Sequence, residues 1–366
     1  MKTSKLTLAL VVFILLTTIS TGCKKDEVSE GNKMPSKFKV DIPSALSRNT
    51  AGQKKSSTEE LQGNVIYQNL NTFIYVGESA ADLVQAIMFS ISVNNINHAM
   101  DITYTSNDDN RVKHLVVVEA SDYENTSYQF QLTITDQLSE NNADNGKALQ
   151  VFWNTSPVKG IAIVKPYNCD RINNSTYTDA MYRVDYSEAG ELGYDAHMIV
   201  SITGLPLANP LDNPYSISNL KMFAGKKAQN IDVYGNTEHP NAKFFSSESG
   251  FDWAFVASSN ESSNIGVAEV GLPSDSLDSD DRTILLKDHS IKNVFEQQIS
   301  ETWPNLDSTS IANYLQNTSA PGYFNNSGFM QGGVSPGIEW DALYQRTISL
   351  TPYNPASIKE LSILFK

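Results

Sequence analysis

A strict alternation of apolar and polar residues in the middle of the chain most constrains its fold. In SYQFQLTITD, the apolar residues Tyr128, Phe130, Leu132 and Ile134 alternate with glutamine and threonine. Because successive side chains of a strand point to opposite faces, the pattern predicts a strand with one apolar and one polar face. Such half-buried strands are typical of antiparallel sheets.

Comparable runs occur along most of the chain, separated by turn-forming clusters such as NDDN, SDYENTS and NNADNG. They are MDITYTS, VKHLVVVEA, KALQVFW, GIAIVK, HMIVSITG, SISNLKMF, FDWAFVAS, NIGVAEVG and RTILLK, followed near the end by RTISLTP and IKELSILF. The short connections predict a meander. We therefore expect an α+β, mainly antiparallel β fold, a barrel or sandwich of ten or more strands with a few covering helices.

Three helices are predicted from apolar residues at helical spacing. The first covers 80–93, with Ser79 as its N-cap. The second lies in HSIKNVFEQQI and ends before Pro304, and a short third covers 310–316. Each helix should pack one apolar face on the sheet.

The first 22 residues have the layout of a signal peptide. Lys2 and Lys5 precede an apolar stretch of 14 residues, Leu6 to Ile19, and small residues follow it. As a helix this stretch spans about 21 Å, less than a bilayer core of roughly 30 Å. We therefore expect residues 1–22 to be removed.

Cys23 follows Gly22 directly, and this junction resembles the lipobox of bacterial lipoproteins. The charged KKDE after the cysteine is similar to the start of Bacteroidetes-type lipoproteins. The resemblance implies lipidation of Cys23, anchoring in the outer membrane and exposure at the cell surface. Two or more acyl chains would anchor the protein stably. The alternative is a cleaved signal peptide and an idle thiol.

The mature chain divides by composition. Residues 23–62 are rich in Lys, Ser, Glu and Gly, which predicts a lipidated cysteine followed by a flexible tether. Within it, KFKVDIP is an alternative edge strand that ends at Pro43. Residues 63–366 form the β-rich body, as one large domain or as two with a boundary near 205–215.

Charge argues against nucleic-acid partners. The formal net charge is −14, and removing residues 1–22 takes away two lysines and no acids, giving −16. No basic patch interleaved with aromatic residues offsets this field. The chain also contains 16 tyrosines, which suit both strands and binding surfaces.

Each catalytic or metal-binding motif that the sequence suggests lacks a group that its chemistry requires. Gly333 to Gly337 fits G-x-S-x-G, but Pro336 lacks the N–H that the oxyanion needs, and no histidine follows Ser335. The five histidines (98, 114, 197, 239 and 289) form no zinc motif. Cys169 has no base beside it and is expected to be a small buried residue.

Two acidic groups are alternative candidates for chemistry. Glu339 and Asp341 would share one face of a strand, as a glycosidase pair requires, but a catalytic pair within three residues is unusual, and the pattern favours structural or surface use. Four carboxylates offer oxygen ligands for calcium, with a solvated acidic loop as the alternative. They are Asp275, Asp278, Asp280 and Asp281.

Two short segments resemble the Asp-Ser/Thr-apolar sites at which exported Bacteroidetes-type proteins carry O-glycans. They are Asp275-Ser276-Leu277 and Asp307-Ser308-Thr309. The resemblance implies modification of Ser276 and Ser308.

Together these observations predict a surface-tethered lipoprotein whose body binds an extracellular ligand without catalysis and without a cofactor. The ligand would be a glycan or a partner protein of the outer membrane. Two alternatives stay open: a structural or adhesin assembly subunit, and a glycan-active hydrolase with acids gathered from distant strands.

Overall fold

The computed structural model describes residues 35, 37–49, 62–93, 99–244 and 250–366, without the side chains of residues 90–93. Cys23 and His98 lie outside this part of the chain. The described residues confirm the predicted class, because they form a mainly antiparallel β structure with several helices.

Thirteen strands of the described residues form one antiparallel sheet in chain order, so each strand pairs with its neighbours in sequence. They are β1 (Met100–Thr105), β2 (Val112–Tyr123), β3 (Thr126–Asp136), β4 (Lys147–Thr155), β5 (Val158–Val164), β6 (Met181–Ser187), β7 (Ala196–Thr203), β8 (Asn219–Lys227), β9 (Asn230–Glu238), β10 (Trp253–Asn260), β11 (Ile265–Gly271), β12 (Gly322–Asn325) and β13 (Gly328–Gly332).

Six α-helices accompany the described part of the sheet. They are α1 (Gly63–Val93), α2 (Pro166–Cys169), α3 (Ile291–Thr302), α4 (Ser308–Tyr314), α5 (Ile338–Thr347) and α6 (Pro355–Lys359). The predicted helices at 291–299 and 310–316 correspond to α3 and α4. In the part of the chain that is described, no helix is both long and apolar enough to cross a membrane.

Helix α1 begins 17 residues before the predicted start at residue 80, at Gly63. Its buried residues Ile66, Tyr67, Leu70, Phe73 and Ile74 recur at helical spacing and enter the largest hydrophobic cluster. We call the sheet face that packs on α1 the inner face and the opposite one the outer face. The same cluster includes Val200 and Leu220, one from each side of the boundary predicted near 205–215.

Residues 37–49 differ from the predicted flexible tether and from the alternative edge strand. Phe38, Val40 and Ile42 are buried in the inner cluster without joining the sheet. Side chains of α1 hold their backbone: Gln85 Oε1 accepts from the Phe38 amide at 2.5 Å and Glu78 Oε1 from the Ile42 amide at 2.9 Å. Burial of these apolar residues thus stabilises an ordered conformation in an otherwise polar segment.

The segment RTILLK is not a strand, contrary to prediction. Residues Thr283–Asp288 form a π-helical turn, in which Leu285 and Leu286 are both buried in one cluster on the outer face. Consecutive strand residues would point to opposite faces. Asp281 begins the turn, because its Oδ1 accepts from the amide of Thr283 at 2.7 Å.

The two final strands that the sequence predicts are also absent from the described residues. RTISLTP begins in α5 and continues as irregular chain, and IKELSILF begins in α6. Their apolar residues still cover the sheet: Leu350 packs over β10, and Ile363 packs on Phe152 of β4. Residues 338–366 thus form a covering layer across the outer face.

Candidate functional site

The outer face of β8 and β9 carries a cluster of aromatic rings. Phe223 lies at its centre, 1% exposed, and stacks on Tyr234 with the ring centroids 4.6 Å apart. The ring of Tyr194 lies 5.3 Å from Phe223, and Tyr353 of the covering layer lies 5.4 Å from Tyr234. We call the three half-buried rings, Tyr194, Tyr234 and Tyr353, together with Phe223, the tyrosine surface.

Strand register brings these residues together. Phe223 of β8 is paired with Tyr234 of β9, and on its other side with Ile199 of β7, which in turn is paired with Asp185 of β6. Paired side chains on one face of a sheet lie about 5 Å apart. Polar and aromatic groups from four strands therefore share one surface.

Tyr194 reaches the surface because Gly225 has no side chain. A Cβ atom on Gly225 would lie 2.6 Å from the Tyr194 ring, closer than two carbons can approach. The Tyr194 hydroxyl donates to Asp232 Oδ2 at 3.1 Å. Close packing on Gly225 thus positions the Tyr194 ring, and the hydrogen bond to Asp232 positions its hydroxyl.

Ion pairs border the tyrosine surface. Arg183 binds Asp185 at 2.9 Å and Glu124 at 2.6 Å, and Arg346 binds Asp232 at 2.6 Å. Burial raises the pKa of Asp185, although Arg183 opposes the shift. All three arginine-bound carboxylates are therefore held in ion pairs.

Two buried polar groups beside the rings lack hydrogen-bond partners among the described residues. One is Nδ1 of His197, whose ring lies 5.7 Å from that of Phe223; the other is the side-chain amide of Asn236. Burial lowers the pKa of His197, so its imidazole is neutral at pH 7. Buried polar atoms normally have partners, so these groups are available to a ligand.

A second charged cluster is fully paired. Asp136 accepts hydrogen bonds from Arg111 at 2.7 Å and from Arg171 at 2.9 Å, and the buried Lys113 binds Asp109 at 2.9 Å. These contacts join β2, β3 and the segment after α2. We assign this cluster a structural role, because its charges are already matched.

The four carboxylates considered for calcium have separate environments. Asp275 pairs with Lys359 at 2.9 Å, Asp278 accepts from Asn354 at 2.6 Å, and Asp281 caps the π-helical turn; Asp280 is exposed. Among the residues that the structure describes, no three His, Cys, Asp or Glu side chains come together in a way that suits a metal ion.

The other candidate residues are also placed apart. Glu339 and Asp341 lie on helix α5 rather than on a strand, and residues two apart on a helix do not share a face. Ser335 Oγ donates to the carbonyl of Gly337 within its own loop. The side chains of Ser276 and Ser308 are exposed.

Cys169 packs against the inner cluster. Burial raises the pKa of its thiol to about 12, so the thiolate needed for nucleophilic chemistry is disfavoured. Cys169 is half-buried, rather than fully buried as the sequence predicts.

The chain matches no protein-family model, no curated protein and no solved structure.

Proposed function

We propose that this protein is a lipid-anchored component of the bacterial outer membrane whose β-rich body binds an extracellular saccharide without converting it. The observation that carries the proposal is the tyrosine surface. Three half-buried tyrosines surround the buried Phe223 on the outer face of the sheet.

Tyrosine suits saccharide binding because its ring offers an apolar face and its hydroxyl a hydrogen bond. The C–H faces of a sugar ring pack on such aromatic faces. Its hydroxyl groups would find acceptors and donors in Asp185, His197 and Asn236, which border the rings. A few polar groups around apolar contacts are typical of ligand sites.

The same geometry favours binding over hydrolysis. A glycosidase needs one protonated carboxyl as acid and a second carboxylate on the other side of the scissile bond. Asp185 and Asp232, the carboxylates nearest the rings, are each bound by an arginine. Each carboxylate is therefore held in an ion pair, and neither is placed to donate a proton across a glycosidic bond.

A glycan array probed with the full chain in detergent, followed by calorimetry on each saccharide bound, tests the proposal. Tyr234→Ala and Tyr353→Ala should each weaken binding at least tenfold. Tyr75→Ala is the matched control, because Tyr75 is half-buried on α1, away from the surface. Full binding by both variants, or no saccharide bound by the parent, would contradict the proposal.

An assembly subunit is the second candidate, and the edge strand β1 favours it. Among the described strands β1 pairs only with β2, and Asp101, Ile102 and Thr103 are exposed. A free edge can accept a strand from another chain. Ile102→Pro, which removes a backbone donor from this edge, should then abolish capture of a membrane partner while leaving saccharide binding intact.

A further inference from the structure

We propose that the tyrosine surface takes an acidic saccharide, and that the ammonium group of Lys221 and the buried amide of Asn236 bind its carboxylate or sulfate. This inference rests on the proposed saccharide function and specifies its ligand class.

A row of hydrogen-bond donors crosses the sheet beside the tyrosine rings. Arg183 of β6 is paired with Ser201 of β7, Ser201 with Lys221 of β8, and Lys221 with Asn236 of β9. All four side chains belong to the outer face, two residues along their strands from the row that contains Phe223. An oxygen-rich acidic group matches such a row of donors.

Lys221 differs from the cations around it. Its Nζ lies 4.5 Å from the ring centre of Tyr353, and it forms no ion pair with a carboxylate of the described residues. Arg183, Arg346 and Lys226 are all paired with acids. Lys221 thus differs from these three neighbours, although the chain has 41 acids for 27 lysines and arginines.

Asn236 provides the second, independent observation. Its side chain is 1% exposed, and neither Oδ1 nor Nδ2 has a hydrogen-bond partner among the described residues. Its strand pairing places it directly across from Lys221. A ligand group held between them would receive an ionic contact and a hydrogen bond at once.

The net charge of the whole protein opposes an acidic ligand at long range. At physiological ionic strength, however, charges are screened beyond about 8 Å, so the groups within the site decide. There, Arg183 neutralises Asp185 and Arg346 neutralises Asp232. Because Arg183 also binds Glu124, these groups together with Lys221 sum to zero formal charge. Lys221 is the cation among them that no carboxylate of the described residues binds directly.

Two pairs of matched polymers test the inference with the full chain in detergent. Polygalacturonate is compared with its methyl ester, and dextran sulfate with dextran, so that each pair differs in charge on one backbone. We expect at least tenfold tighter binding of the acidic member of one pair, weakening as salt is raised. The pair that responds distinguishes a carboxylate from a sulfate ligand.

Variants assign the effect to the site. Lys221→Met keeps the length of the side chain and should abolish the preference for the acidic member, whereas Lys221→Arg should keep it; Asn236→Ala should weaken binding of the acidic member alone. Lys226→Met, on the same strand but paired with Glu261, should change nothing.

Equal binding of charged and neutral members, or an unchanged preference in Lys221→Met, would overturn the inference and leave saccharide binding in place. Failure of the wider glycan array to yield any ligand that depends on Tyr234 would instead overturn the proposed function. The two failures are therefore distinguishable.

Discussion

Arg346 of helix α5 donates two hydrogen bonds to Asp232 of strand β9, at 3.0 and 2.6 Å, across 114 positions of the chain. Asp232 is 4% exposed. The pair joins the covering layer to the sheet at the border of the tyrosine surface.

Replacing Arg346 with methionine should leave this buried carboxylate with Ser258 and Tyr194 as its hydrogen-bond partners among the described residues. We expect the free energy of unfolding to fall by about 3 kcal/mol, since one partner of a buried ion pair is removed. Urea denaturation measures the change. In the exposed pair Lys359–Asp275, Lys359→Met should cost much less, because solvent screens exposed ion pairs. Equal losses would contradict the assignment.

Gly225→Ala should displace the ring of Tyr194, because the new Cβ atom would lie 2.6 Å from it. We expect overpacking to destabilise the fold by about 1–3 kcal/mol and saccharide affinity to drop in calorimetry. Gly337→Ala is the control, since the nearest atom to its Cβ lies 3.9 Å away. Unaltered affinity in Gly225→Ala would show that Tyr194 does not contribute to the site.

Asp252 should make stability depend on pH. Burial raises its pKa to about 7, whereas an unfolded Asp titrates near about 3.9. Between these values the folded protein retains a proton that the unfolded chain has released, so stability falls as the pH rises from about 4 to 7.

Asp252→Asn should remove this dependence while keeping an acceptor for the amide of His239. The variant should match the parent near pH 4 and exceed its unfolding free energy by about 4 kcal/mol at pH 8, because one pKa unit corresponds to about 1.4 kcal/mol. Denaturation curves at both pH values check the prediction. An equal gain in unfolding free energy at both pH values would contradict the raised pKa of Asp252.

Phe38→Ala tests whether residues 37–49 belong to the folded body. The Phe38 ring is fully buried, packing on Tyr186 and beside Gly160, so we expect a loss of about 3 kcal/mol in unfolding free energy. Phe89, 62% exposed on α1, provides the matched control, and Phe89→Ala should change stability by less than about 0.5 kcal/mol. A tether would tolerate both substitutions equally.

Cys23→Ser should abolish acylation. Labelled palmitate should enter the parent protein but not the variant, and only the parent should partition into the detergent phase, because acyl chains provide the anchor. Incorporation of labelled palmitate into Cys23→Ser would show that another residue carries the lipid and would contradict an anchor at Cys23.

Local patterns predicted most of the sheet. Alternation identified nine of the strands, and it failed where burial on both faces or short length hides the period, as in β9, β12 and β13. Strand β6 also shows this alternation, because Tyr182, Val184 and Tyr186 are separated by polar residues, although it is not among the predicted strands. The consecutive residues Leu285 and Leu286 are compatible with both a strand and a helical turn. Their packing in one cluster distinguishes the helical turn.

The candidate site could not be predicted in the same way. Tyr194, Tyr234 and Tyr353 come from three distant segments, and their proximity depends on strand register and on the path of the covering layer. The sequence showed only that tyrosine is abundant. Register is a property of paired strands, so no single segment contains it.

The position of α1 ahead of every strand has a consequence for biosynthesis. Ribosomes deliver the amino-terminal part first, so the helix emerges before the strands that enclose it. Each later hairpin joins a neighbour already made, which keeps most contacts local and favours rapid zippering. Until β6 to β8 and β13 have been translated, the apolar side of α1 lacks its packing partners, and a holding chaperone would have its clearest target there.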